Sequence, residues 1–366
     1  MSSKGTLLKN EDTGFSQNLK EMFLKNQKIW HATIELTYRC NFKCKHCYCQ
    51  TEEKKELSLE EIDKLAQELR DLGVITLTLT GGEALLRKDI FEIIECFNNY
   101  GFIITLFSNA YLITQEIAQK LKKSGVKCVE ISIYGANDET YFNVTGVTKG
   151  YTRLLNAYKS LSESGINIVN KSVSLSLNIN DAQKMIDTAL SNGELKVKFD
   201  PVIFPKMNYD KTPQDFSCKD SDIYDMFTKT LEENDVVFVD RKKDTRICSV
   251  GGSIVINPYG DVYPCTAFSL SIGNIRNNRI KDIWENSEKL NRLRSLTLAD
   301  YPKCFSCEYY DFCNVCPALF YMENKSVFSQ SRESCRIAML KKQAYIDKFV
   351  EKKIQNNEKK NFLFGR

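Results

Sequence analysis

A chain of 366 residues, 42% hydrophobic and 27% charged, is ordinary for a soluble protein and long enough for one large α/β domain plus a smaller one. The formal net charge is only +4, with lysines interleaved among glutamates, so no basic stripe argues for nucleic acid. No apolar run reaches the length of a membrane span and no hydrophobic signal region opens the chain, which makes the cytoplasm the expected location. Fourteen cysteines in such a chain point to metal rather than to disulfides.

Residues 1–28 are polar and read as an N-terminal arm. From 29 to about 215 the pattern alternates strand and helix. Strands are predicted at 32–38, 74–80, 103–107, 128–134, 173–178 and 195–200, with helices at 58–72, 88–100, 114–123, 150–163 and 181–191. The clearest helix begins with Ser58 and Glu61, a capping box, and ends at Gly73. Six such units argue a parallel sheet with outer helices, too few for a closed eight-stranded barrel. A curved, open (β/α)6 barrel is the expectation. Prolines 201, 205 and 213 then break the pattern, and a single helix near 221–233 sits in a bridge spanning 216–247.

The chemistry is concentrated where the first strand ends. Cys40, Cys44 and Cys47 form a C-x3-C-x2-C run, an odd number of thiols that leaves one unpaired as disulfides and falls short of a four-ligand zinc site. Three soft thiolates suit a cubane iron–sulfur cluster with one iron lacking a protein ligand. The second strand ends at Gly81-Gly82-Glu83, where glycines admit a close backbone approach and the carboxylate can accept from an ammonium group. Ser108 and Asn109 end the third strand, Ser132 lies in the fourth and Asn178 ends the fifth. In a parallel sheet, ligands sit at these carboxyl ends.

The cysteine run, with Tyr48 after it and Gly81-Gly82-Glu83 farther on, resembles the radical S-adenosylmethionine enzymes. The resemblance implies the same partial, TIM-like (β/α)6 barrel. It implies a [4Fe–4S] cluster on Cys40, Cys44 and Cys47, with the open iron chelated by the methionine moiety of S-adenosylmethionine. Electron transfer to the sulfonium would then yield methionine and a 5′-deoxyadenosyl radical. Gly81, Gly82 and Glu83 would hold the amino group, and Ser108, Asn109, Ser132 and Asn178 would face ribose and adenine. Thr145 lies near a position where several relatives carry an arginine.

A second cysteine set runs from 248 to 342: Cys248 and Cys265, then Cys304, Cys307, Cys313 and Cys316, then Cys335. Residues 257–260, Asn-Pro-Tyr-Gly, separate two short apolar runs at 253–256 and 261–263, a hairpin signature. The arrangement resembles the SPASM extension of radical enzymes that modify peptides and proteins, though Cys313 and Cys316 are two residues apart where relatives commonly have three. The resemblance implies one auxiliary [4Fe–4S] cluster on Cys304, Cys307, Cys313 and Cys335, and a second on Cys248, Cys265 and Cys316. That second set is one ligand short, unless Cys218 or a non-cysteine group completes it. A zinc ribbon is the alternative, since paired C-x2-C units also bind zinc.

These expectations combine into a peptide maturase acting by hydrogen abstraction, leaving a thioether or carbon–carbon cross-link or an epimerised residue. Cys218, alone in the bridge, is the candidate hydrogen donor for epimerisation. A formylglycine-generating enzyme of the anaerobic sulfatase-maturing type is the alternative, and an iron–sulfur electron carrier the non-enzymatic one. The expected partners are a peptide substrate, a separate recognition protein that presents it, and a flavodoxin- or ferredoxin-like electron donor. The C-terminal tail, 343–366, is lysine-rich from Lys352 to Arg366, a stretch that is either a docking face for that donor or a solvated helix end.

Overall fold

The structure is a computed structural model that describes residues 22–350, apart from 24, 50–53, 194–195, 239 and 249. Most of the expected N-terminal arm and most of the lysine-rich tail lie outside the described residues. Chain order begins β1 (His31–Thr37), α1 (Leu59–Asp71), β2 (Thr76–Gly81), α2 (Ile90–Asn99), β3 (Ile103–Ser108), α3 (Gln115–Lys123) and β4 (Val126–Ser132). It continues with α4 (Asp138–Thr145), α5 (Gly150–Glu163), β5 (Asn167–Val173), α6 (Ala182–Ser191), β6 (Val197–Asp200) and α7 (Asp220–Thr230). These six strands are parallel and adjacent in order, β1 to β6, with helices outside. The open α/β barrel expected from the alternation is present.

Local rules explain most of the elements. Ser58 accepts from the Glu61 N–H while Glu61 reaches back to the Ser58 N–H, which satisfies two orphan donors at the start of α1. Ile62, Leu65, Ala66 and Leu69 form its buried face. Two readings needed correction. The strand expected at 173–178 is instead Asn167–Val173. The alternation after Val173 mimics a strand, but Asn178 closes it into a turn by accepting from the Leu175 N–H. The true strand was obscured by buried polar residues: Asn170 accepts from the Tyr158 hydroxyl at 2.6 Å, and the Ser172 hydroxyl points to the Met185 sulfur. Helix α4 was not anticipated, although its signals were present. Asn137 caps its start by accepting from the Thr140 N–H, and Gly146 ends it with φ +73°.

The second half does not fold apart from the first. Strands β7 (Ser253–Ile256), β8 (Asp261–Tyr263) and β9 (Gly273–Asn274) extend the same sheet. β7 runs parallel to β1, and β8 and β9 add antiparallel, giving the order β6-β5-β4-β3-β2-β1-β7-β8-β9. The helices α8 (Ile280–Asn286), α9 (Glu288–Arg294), α10 (Pro302–Phe305), α11 (Pro317–Asn324) and α12 (Arg332–Tyr345) complete this half. Arg276 ties it to α1 by pairing with Glu61 at 2.6 Å and donating to the Lys55 and Tyr259 carbonyls. No helix among the described residues is long and apolar enough to cross a membrane.

Candidate active site

The loop carrying Cys40, Cys44 and Cys47 leaves β1 at its carboxyl end and is pinned on several sides. The Lys43 and Lys45 N–H groups donate to the Thr145 and Val144 carbonyls at the end of α4, at 2.8 and 3.0 Å. Phe42 is buried edge-on against Tyr111 and Tyr134. Beneath the loop, Glu35 is buried and accepts from the Tyr38 and Tyr48 hydroxyls at 2.6 and 2.8 Å. Burial holds its carboxyl above the usual range while those two hydroxyls pull it down. Sequence reading missed Glu35. A lone acid within an otherwise apolar strand was the available signal.

The end of β2 seats directly under this loop. Gly82 and Glu83 donate their N–H groups to the Thr37 and Arg39 carbonyls at 2.7 and 2.9 Å. A Cβ on Gly81 would fall 2.2 Å from the Thr37 carbonyl oxygen, and one on Gly82 would fall 2.4 Å from that of Arg39. The glycines are therefore required first by contact between two stretches of this chain, beyond any ligand. Glu83 is fully buried and accepts from the Leu85 N–H, the Asn109 N–H and the Ser108 hydroxyl. Burial pushes its carboxyl up to about 7 despite those donors. Its side chain locks β2 to β3 and is not among the groups lining the cavity. Asn109 does line it and donates to Asn41 at 2.8 Å.

A cavity of about 800 Å³ fills the barrel beneath the cysteine loop. Cys40, Cys44, Cys47, Gly81, Gly82 and Ser132 all line it, as do Thr266 and Ala267, which follow Cys265 in the second half. Asn178 does not: it is buried and its amide donates to the Tyr134 and Val173 carbonyls, which holds a turn. His46 packs 5.6 Å from the Tyr134 ring, and burial lowers it to about 4. Its Nδ1 is buried without a partner, an orphaned polar atom beside the three thiols. Cys49 donates to the Gly81 carbonyl. A hydrogen bond from Cys49 brings Cys47 down to about 7.

The cysteines of the second half form two neighbourhoods. Cys248, Cys265 and Cys316 line a cavity of about 450 Å³, where Cys316 raises Cys248 and both raise Cys265. In the other, Cys307 raises Cys304, Cys313 and Cys335, and Cys313 also feels Cys316. Burial is the main cause of each shift, pushing Cys265 and Cys313 up to about 12 and Cys248 to about 11. Buried thiols held this high are poor free nucleophiles, and ionised they need a compensating cation. Among the described residues, no three His, Cys, Asp or Glu side chains converge on a point that a single ion could occupy. A zinc site, with bonds of about 2.3 Å to sulfur, would need them almost touching. Three thiols on one wall, an orphaned imidazole nitrogen and a glycine cradle fit a cluster seated on the loop.

Cys218 is placed elsewhere. It is buried with Ile223, Met226, Phe227 and Ala344 between α7 and α12, and lines neither of these cavities. Burial, with Asp222 nearby, pushes its thiol up to about 12. Neither a donor facing the barrel nor a ligand of the Cys248 group is arranged here.

Residues 34–189 match the Radical SAM superfamily, and residues 248–317 match SPASM, an iron–sulfur cluster-binding domain. The chain is an enzyme that carries a radical SAM domain followed by a SPASM domain. An AdoMet-dependent heme synthase of Methanosarcina barkeri is 29% identical over 78% of this chain and 90% of the relative. A PqqA peptide cyclase of Rhizobium meliloti is 27% identical over 75% and 78%. The fold is also that of Streptococcus suis SuiB bound to its precursor peptide SuiA, with TM-score 0.66, 17% identity, and 92% and 84% of the two chains covered. The cofactors of the radical SAM half are a [4Fe–4S] cluster and S-adenosylmethionine, and the SPASM half binds iron–sulfur as well.

Proposed function

We propose that this radical SAM enzyme modifies a ribosomally made peptide, abstracting hydrogen from one residue to leave a thioether or carbon–carbon cross-link or an epimerised centre. One observation carries the reading. The cavity below Cys40, Cys44 and Cys47 is also lined by Thr266 and Ala267, so a chain held in it lies between both cysteine groups. When bound, the cluster and S-adenosylmethionine supply one-electron chemistry that ends in hydrogen abstraction. This chain's residues do the remaining work. Cys40, Cys44 and Cys47 would hold the first cluster. Gly81 and Gly82 keep the loop pressed onto β2, while Phe42, Tyr134 and His46 exclude water beside it. Cys304, Cys307, Cys313 and Cys335 would hold one auxiliary cluster, and Cys248, Cys265 and Cys316 another with one position for a further ligand. The electron source would be a flavodoxin- or ferredoxin-like donor, and a separate recognition protein would present the peptide.

A second reading is favoured by the heme synthase relative, which covers most of this chain. In that case the same cavity would take a porphyrin. The deciding experiment incubates the reduced, reconstituted protein with S-adenosylmethionine and either a peptide encoded beside its gene or an iron porphyrin. The peptide reading expects 5′-deoxyadenosine together with loss of two hydrogens from the peptide, or with solvent deuterium uptake at unchanged composition. A mass change confined to the porphyrin would replace it.

A further inference from the structure

The sheet stops at β6, and a second cavity of about 510 Å³ opens along that edge, between the inner faces of β5 and β6 and helix α12. It shares His46, Ser132, Tyr134, Lys171 and Val173 with the main cavity, so the two cavities adjoin at these side chains. Strand register sets Ser132, Lys171 and Lys198 side by side across β4, β5 and β6. Like charges abreast on neighbouring strands repel, and the fold compensates only one of them. Lys171 pairs with Glu130 and lies 4.4 Å from the Phe107 ring centroid. Lys198 has no ion-pair or hydrogen-bond partner among the described residues. Across the cleft, Lys341 enters from α12, half-buried and likewise without a hydrogen-bond or ion-pair partner. Burial lowers the Lys341 ammonium, with Asp235 opposing. Asp200, two residues farther along β6 and opposite Val173, spends one oxygen on the Val202 N–H. Lys171, Lys198 and Lys341 thus gather around one opening with three carboxylates near them: Glu130 paired with Lys171, Asp200 bonded to the Val202 N–H, and Asp235 acting on Lys341 without an ion pair to it.

We propose that this edge is a clamp for carboxylates of the substrate: Lys198 and Lys341 grip an anionic group at the mouth, leaving the reacting carbon inward under the cysteine loop. The proposal rests on the cleft being the substrate site. An acidic side chain or chain end of a peptide supplies this chemistry, and so does a propionate of a porphyrin. Both sources can be tested by binding alone, without turnover. The reconstituted full-length protein is titrated with fluorescein-labelled hexaglutamate and its hexaglutamine counterpart, and with coproporphyrin III and its tetramethyl ester. One acid is expected to bind, with its neutral counterpart roughly tenfold weaker or more. The Lys198→Met/Lys341→Met double variant, at wild-type iron content, should lose a similar factor, and Lys341→Arg alone should retain most of the affinity. Which acid binds identifies the source. The clamp is overturned if neither acid binds, if the neutral counterparts bind as well, or if the double variant is unchanged. None of these results bears on the release of 5′-deoxyadenosine, so the radical chemistry and the clamp stand or fall separately.

Discussion

Glu83 and His46 are two buried titratable groups beside the site whose pH dependences oppose each other. Glu83 in the folded chain titrates at about 7, against 4.5 for an ordinary glutamate. The folded state therefore binds its proton more tightly, and the stability it contributes is complete below about 4.5 and lost as pH rises to about 7. His46 is held at about 4 against 6.5, so its contribution grows as pH rises between those values. The Glu83→Gln variant isolates the first. In metal-free protein, the stability difference between variant and wild type should shift by on the order of 3 kcal/mol between pH 4.5 and 7. Urea unfolding at the two pH values measures it, and parallel wild-type and variant profiles would show that burial does not govern Glu83. Gly82 makes a purely steric case at the same scale. Its added Cβ would sit 2.4 Å from the Arg39 carbonyl oxygen, backbone that cannot step aside cheaply. Gly82→Ala should cost about 2 kcal/mol by overpacking and should leave the protein retaining less iron after reconstitution, read by iron assay.

Among the elements, α1 shows how far local sequence reaches. Ser58, Glu61 and Gly73 gave its limits to within a residue, because capping is chemistry between groups three positions apart. Ser58→Ala should lower stability by about 1 kcal/mol in denaturant unfolding, and a change of a few tenths or less would mean that Arg276 holds Glu61 in place unaided. β5 shows the opposite. Its register depends on Asn170 meeting the Tyr158 hydroxyl and on Lys171 meeting Glu130, partners 12 and 41 positions away. Misplacing that strand also hid Lys171 and Lys198 as neighbours. The pairing that frames the carboxylate clamp could not be read from the alternation of residues 173–178.

For the whole molecule, the joining of two halves into one sheet has a consequence for the clusters. β7 lies against β1, the strand that feeds the first cysteine loop, and Cys248 and Cys265 flank the β7–β8 hairpin of that same sheet. The proposed division of ligands predicts separable losses. Cys316→Ser should empty one auxiliary site and Cys335→Ser the other, each removing about a third of the iron. The triple substitution of Cys40, Cys44 and Cys47 should remove a similar third along with all 5′-deoxyadenosine release. Iron and acid-labile sulfide assays on each variant check this. Loss of the same centre in both Cys316→Ser and Cys335→Ser would show that the two groups form one site.

The amino-acid sequence alone determined the strand–helix alternation, the cysteine groupings and the two glycines, because each is a short-range pattern whose chemistry lies within a few residues. Tertiary structure decided what those patterns face. It turned Glu83 and Asn178 into braces, took Cys218 away from the cavities, and joined the second half to the sheet. It also set lysines from β5, β6 and α12 around one opening. Such placements depend on which distant side chain can satisfy a buried polar group, and that is settled only when the sheet forms.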